Sequence, residues 1–184
     1  MKLYNQKSRF QSPWNSFIKI KLFCWEIIWQ LLCRWTPKPF NFWRLLILKI
    51  FGCKIYGKPF VHQRAIIYHP WNLVLHDKAC IGDRTVMYAL DKIEIMELSV
   101  IAQEAYICTG THNFNSPTKE LITKEIIIGK DSFVGARAFV LPGIKIGNNC
   151  LIGACSVVTK NLSDNCIALG NPAKIKSKNI LLKN

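Results

Sequence analysis

The side chains able to do chemistry are few. Histidines stand at 62, 69, 76 and 112, and cysteines at 24, 33, 53, 80, 108, 150, 155 and 166. Imidazole takes and gives protons near neutral pH without help from its surroundings. Thiols that ligate zinc or exchange disulfides commonly come in pairs two residues apart, and no two of these cysteines are so spaced. Eight are too few for a disulfide scaffold in a chain of 184 residues, so they read as buried thiols of a reducing cytoplasm. Among the histidines, His112 stands apart in the small, polar run Thr109-Gly110-Thr111-His112-Asn113. Alone, a histidine in a loop is a solvated side chain. Its meaning depends on the elements that hold it.

Those elements repeat every six residues between positions 53 and 170. Val158, Ile152, Ile146, Val140, Val134 and Ile128 are each six apart, and Gly follows at 129, 135, 147 and 153. The register continues through Ile107, Ile101 and Ile95, through Met87, Ile81 and Leu75, and through Ile67, Val61 and Ile55. In an α-helix, six residues turn the chain by roughly 600°, so successive members would miss one another by about 120°. A strand with a bend every six residues keeps these side chains on one face, and Gly suits a tight corner. The period is that of a parallel β-helix.

Grouped in threes, the positions are 55, 61, 67; 75, 81, 87; 95, 101, 107; 128, 134, 140; and 146, 152, 158. Every irregular gap falls between groups: eight residues after 67, eight after 87, and 21 after 107. With one triplet per turn of a three-sided prism, all insertions share one corner. The two small ones are bulges. The third spans residues 109–124, and an insertion that long in a tight solenoid is functional or unstructured. His112 lies near its start.

The chain resembles the hexapeptide-repeat acyltransferases, most of all the branch of colanic-acid biosynthesis acetyltransferases and more distantly the maltose and galactoside acetyltransferases. The resemblance rests on His69-Pro70-Trp71-Asn72-Leu73, on residues 102–113 ending in Thr109-Gly110-Thr111-His112-Asn113, and on residues 128–135. It also rests on Leu141-Pro142-Gly143, residues 153–160 and Gly170-Asn171-Pro172-Ala173-Lys174. With the segment before them, these cover most of the chain, and their order and spacing carry the likeness.

The resemblance implies a left-handed parallel β-helix of about five turns. It implies a homotrimer whose active sites lie between neighbouring prisms, with the 109–124 loop reaching across. It implies acetyl transfer from acetyl-CoA, as co-substrate and without a metal, to a hydroxyl, usually of a sugar. His112 matches the family's general base, and Asn113 beside it is a candidate acceptor contact. Thr159 and Lys160 match contacts to the nucleotide end of acetyl-CoA, with Lys174 as a further cation. Gly135, Ala136, Gly153 and Ala154 are small enough to line a groove for the pantetheine arm, and Phe133 stands where relatives often place Trp. Ala89-Leu90 and Ile95-Met96 replace the more usual Asn-Leu and Ile-Gly beside the acceptor pocket, so the acceptor of a named relative does not carry over.

Residues 1–52 read differently. Lys plus Arg number 25 and Asp plus Glu 11, a net of +14, and residues 1–60 hold eleven of the basic groups against the single acid Glu26. Five of the six tryptophans, 14, 25, 29, 35 and 43, lie here too. Residues 17–34 read as a helix broken by Pro37 and Pro39. Asn41 can cap a second helix through Phe51, with Gly52 after its end. Lys19, Lys21, Glu26, Gln30 and Arg34 interrupt the apolar stretch, which excludes a membrane-spanning helix. Aromatic and basic side chains together suit either an interfacial helix on an anionic membrane or a face packed on the protein or on another subunit.

The organisation expected is a helical segment 1–52, a solenoid domain 53–170 and a tail 171–184. No signal peptide is visible, which points to the cytoplasm, with peripheral contact at the inner face of its membrane through residues 1–52. A lipid-linked acceptor in capsule, exopolysaccharide or related glycan assembly would fit that position. The basic excess sits among Trp and Ile and no nucleic-acid motif appears, so no nucleic-acid partner is expected. Two other functions fit less well. A carbonic anhydrase of the γ type needs three zinc-binding histidines, and position 117, where the partner of His112 would stand, is Pro. A non-enzymatic scaffold or interaction protein at the membrane surface would have no use for His112 together with Thr159 and Lys160.

Overall fold

In the computed structural model, which describes residues 1–4, 6 and 11–178, the six-residue register becomes a three-sided parallel β-solenoid. Short strands alternate with corners, and each register residue lies on its counterpart one coil away. Ile55, Leu75, Ile95, Ile128 and Ile146 form one column. Val61, Ile81, Ile101, Val134 and Ile152 form the second. Ile67, Met87, Ile107, Val140 and Val158 form the third. All but Ile55 are buried, so the prism interior is one continuous aliphatic core. Leu162 bridges to Ile146 and Ala168 pairs with Ile152, which adds a partial sixth coil. The strand Cys166–Leu169 then turns back antiparallel onto Lys174–Lys178 and covers the last edge of the second face.

The corners have a shared backbone device. Lys78, Leu98, Asp131, Asn149 and Asn165 follow the first face, and Arg84, Glu104, Arg137 and Cys155 follow the second, all left-handed with φ of 53–60°. The glycines two residues earlier do another job. A Cβ on Gly135 would sit 2.6 Å from the Ala154 nitrogen, and one on Gly129 would sit 2.5 Å from the backbone of Gly147. Glycine is present because successive coils touch there, not because the corner bends there.

A solenoid leaves its first coil with an unpaired edge, and the N-terminal helices cover it. Helix α1 (Ser16–Ile28) starts on Asn15, whose side chain accepts the Ile18 N–H, and continues as a π-helical turn over Trp29–Cys33. Trp25 and Trp29, four residues apart on one helix face, donate their indole N–H groups to the Ile67 and Ala65 carbonyls at 2.7 and 3.1 Å. Helix α2 (Asn41–Ile50) follows a 3-10 turn at Lys38–Phe40. Asn41 is its first helical residue rather than its cap. The Asn41 amide instead donates to the Pro59 carbonyl and accepts the Val61 N–H, which ties α2 to the first coil. Buried Arg44 donates to the Val61 carbonyl from the same helix. Gly52 ends α2 at φ 95°, with its own N–H on the Lys49 carbonyl and the Cys53 N–H on the Leu48 carbonyl.

Candidate active site

Three of the four histidines are held in structural roles. His69 is buried between the rings of Trp14 and Trp71 with both ring nitrogens unpartnered among the described residues, and burial pushes its pKa down to about 4, so it stays neutral. His62 is buried beside Asp83, 3.2 Å away, and burial, partly offset by that carboxylate, lowers its pKa. His76 lies 3.0 Å from Glu94 and stacks on Tyr56. His112 alone is exposed.

His112 stands on a β-hairpin that leaves the corner between the third and first faces. The strand Gly110–His112 pairs antiparallel with Leu121–Thr123, so the long insertion is an ordered hairpin. Its tip closes through the Asn113 N–H on the Glu120 carbonyl, and the Asn113 side chain accepts the Asn115 N–H. The Thr118 and Ser116 hydroxyls donate to Glu120 and hold its carboxyl below the ordinary value. Lys119 adopts a left-handed conformation, φ 47°, and its carbonyl lies 2.8 Å from His112 Nδ1. A carbonyl only accepts, so Nδ1 carries the hydrogen and Nε2 carries the lone pair. The hairpin thus presents an exposed imidazole in the tautomer and orientation that a general base needs.

The base of the hairpin is clamped by a residue that the sequence reading passed over. Buried Asp91 sits at the same corner one coil earlier. It accepts from Lys2 Nζ at 2.9 Å, from the Lys92 N–H at 2.9 Å and from the Thr123 hydroxyl at 3.1 Å. Its own N–H donates to the Thr109 hydroxyl. The carboxylate therefore grips the returning hairpin strand and the N-terminal strand Lys2–Leu3, which pairs with Ile122 and Thr123, while the Asp91 backbone N–H holds Thr109 where the outgoing strand begins. Burial alone would raise the Asp91 pKa, but the Lys2, Lys92 and Thr123 donors outweigh it and hold it low. A depressed pKa means that the clamp is intact at neutral pH and is lost only as pH falls through that low value. Asp91→Ala is expected to lower turnover by about tenfold or more by misplacing His112, with acetyl-CoA affinity unchanged. Equal kcat in the variant would reject the positioning role. An acid in the bulge at the corner that carries the insertion was the available sequence signal.

The other residues singled out from sequence fall on two edges of the prism. Thr159 and Lys160 are exposed and follow the third face, on the same edge as the His112 hairpin. Gly135 and Ala136 stack on Gly153 and Ala154 along the edge between the second and third faces; the Gly135 N–H bonds the Ile152 carbonyl and the Cys155 N–H the Ala136 carbonyl. Gly135 lacks room for a side chain because backbone crowds it, whereas a Cβ on Gly153 would meet the Leu169 side chain, which is exposed and free to shift. Phe133 projects from the second face and is exposed. Lys174 opens the last strand opposite Leu169, exposed. Within one protomer, the His112 edge and the small-residue edge are separated by the width of the third face.

Residues 125–160 match the family described as bacterial transferase hexapeptide (six repeats). WcaF of Escherichia coli (strain K12), a protein named for acetyl transfer in colanic acid biosynthesis, is 35% identical over 156 residues, covering 85% of this chain and 86% of that one. A maltose O-acetyltransferase from Clostridium difficile has a similar structure, with a TM-score of 0.78 at 24% identity over 89% of each chain. A galactoside acetyltransferase solved in complex with coenzyme A aligns with a TM-score of 0.73 at 17% identity, covering 97% of this chain and 86% of that one.

Proposed function

Because this chain belongs to the hexapeptide-repeat acetyltransferases, we propose that it moves an acetyl group from acetyl-CoA to a sugar hydroxyl in capsular, exopolysaccharide or related glycan biosynthesis. The observation that carries this reading is the bond between His112 Nδ1 and the Lys119 carbonyl, which leaves Nε2 free on an ordered, exposed hairpin. Nε2 takes the proton of the acceptor hydroxyl as its oxygen attacks the thioester carbonyl. The tetrahedral intermediate collapses with departure of the CoA thiolate, which takes the proton back from the imidazolium. A hydroxyl is a weak nucleophile, so the base is worth roughly 10²–10⁴ in rate.

In this reading Thr159 and Lys160 meet the nucleotide end of acetyl-CoA. Lys160 forms no ion pair among the described residues and can serve a phosphate as a point charge. Phe133, Ala136 and Ala154, with the close coil stacking at Gly135 and Gly153, line the pantetheine arm. Lys174 supplies a second cation, and Asn113 flanks the acceptor. Residues 53–170 are the transferase domain, 1–52 its cap and 171–184 its tail. The enzyme works as a homotrimer in the cytoplasm, at the inner face of its membrane. Apolar ladders on two outer faces support the trimer: Cys80, Val100, Phe133 and Leu151 on the second, and Val86, Tyr106, Phe139 and Val157 on the third. The first face mixes in charge, with Lys54, Glu94 and Lys145.

Calorimetric titration of acetyl-CoA tests the donor half without a known acceptor. Binding is expected, weakened about tenfold in Lys160→Ala, or about 1.4 kcal/mol. A folded, assembled protein that takes up no acetyl-CoA would overturn the transferase reading and leave the solenoid as a scaffold.

A further inference from the structure

Helix α1 is apolar on two opposite sides. One side buries Trp25 against the first coil, and Trp29 and Cys33 continue it along the π-helical turn. The other shows Phe17, Ile20, Phe23, Ile27 and Leu31, each 40–73% exposed. Their spacing of three and four residues sets them on one stripe. Trp35, just beyond, is 82% exposed. A groove of about 600 Å³ continues the stripe, with Trp25, Ile27, Trp29 and Leu31 on the helix side and Ile66 and Tyr68 on the coil side. An apolar surface of this extent marks a contact with something outside the fold.

The surrounding charge says what that is. Lys19, Lys21 and Arg34 interleave these residues in the chain and Lys38 and Lys49 follow on the next two elements, with Glu26 the only acid of the segment. Lys21 sits over the Trp71 ring, 4.1 Å from its centroid. Among the described residues, Lys19, Arg34, Lys38 and Lys49 form no ion pair. Two copies meeting through this surface would set these cations against their own kind, which is unfavourable. An anionic bilayer meets both demands: its hydrocarbon takes the Phe, Ile and Leu stripe, and its phosphates take the ammonium and guanidinium groups. No helix among the described residues is long and apolar enough to cross a membrane, so α1 would lie in the plane of the interface.

We propose that α1 and its π-helical continuation dock flat on an anionic lipid bilayer through Phe17, Ile20, Phe23, Ile27 and Leu31, with Lys19 and Arg34 on headgroup phosphates. The inference deepens the membrane position given under the proposed function and rests on that part of it, while its test is independent of acetyl transfer. Deleting residues 1–52 would not test it, because that also uncovers the first coil. The test is flotation of the full-length protein with vesicles of phosphatidylcholine plus phosphatidylglycerol, or of phosphatidylcholine alone. Wild type is expected to float with the anionic vesicles, not with the neutral ones, and to be released by high salt as the charges are screened. Phe23→Asp with Ile27→Asp, and separately Lys19→Glu with Arg34→Glu, are each expected to lower the bound fraction by about tenfold or more. These side chains are exposed, and an unchanged thermal midpoint checks that each variant folds. Wild type left at the bottom of the gradient, equal flotation with neutral vesicles, or flotation unaffected in both folded variants would overturn the proposal. A fall in particle mass in the first variant by light scattering, without flotation of wild type, would also overturn it and assign the stripe to contact between copies.

Discussion

His112→Ala is expected to lower acetyl transfer by roughly 10²–10⁴-fold while leaving acetyl-CoA binding unchanged. The size follows from what the imidazole supplies. Without a base, the acceptor hydroxyl must attack while still protonated, and alanine offers no lone pair within reach. The side chain is exposed, and its one bond among the described residues is from Nδ1 to the Lys119 carbonyl at the rim of the hairpin. The hairpin itself is held by the Gly110–Thr123 and Thr111–Ile122 pairs and by the Asp91 clamp, none of which the substitution touches. Donor binding measured by calorimetry and transfer measured with an identified sugar acceptor therefore separate the two roles. Turnover within a factor of about three of wild type would remove His112 from the chemistry. Loss of acetyl-CoA binding together with turnover would make it a structural residue of the hairpin.

The contrast between His112 and Asp91 shows how much of the site could be read before the fold was known. The place of His112 on the insertion was legible because the six-residue register isolates that insertion, and the register is enforced by physics: a prism interior takes an aliphatic side chain at the same point of every face in every coil. All fifteen register residues stack as the spacing required. For Asp91 the sequence holds only its place, an acid in the bulge at the insertion corner; its partners Lys2 and Thr123 lie 89 and 32 residues away, and no local pattern announces a pairing over such distances. The Lys119 carbonyl that orients His112 is backbone, and so leaves no mark in residue type. The same holds for the corners. Asp131, Asn149 and Asn165 are residues that tolerate left-handed φ, but Lys78, Leu98, Arg84, Glu104, Arg137 and Cys155 adopt it as well, because the stacking of coils overrides local preference. Asn41 was read as a helix cap on its residue type, yet its side chain satisfies the Val61 N–H and the Pro59 carbonyl of the first coil. An open sheet edge outcompeted a helix end for the same amide.

Arg44→Met is expected to cost about 3–5 kcal/mol of stability. The guanidinium is buried without a carboxylate partner among the described residues, and burial pulls its pKa down. In its place it has four acceptors: the carbonyls of Val61, Pro37 and Lys38 and the Thr36 hydroxyl, all at 2.8–3.0 Å. Two effects oppose each other in the variant. Removing a buried charge relieves a desolvation penalty, and methionine has the length to fill part of the space. Against that, four hydrogen bonds from a charged donor are lost, each worth about 1.5–3 kcal/mol where water does not replace it, and the Val61 carbonyl stays buried without this donor. The second effect wins because the Val61 carbonyl lies on the first coil's edge under α2, in a fully buried residue, although the Pro37 carbonyl keeps the Phe40 N–H. For a chain of 184 residues, that loss lowers the melting temperature by on the order of 10 °C. A shift of less than about 3 °C by calorimetry would show that the cap is held by its Trp25 and Trp29 contacts rather than by Arg44. Acetyl-CoA affinity at room temperature is expected to stay unchanged, because the contacts proposed for it, Thr159 and Lys160, lie on the fifth coil, at the far end of the solenoid from the cap.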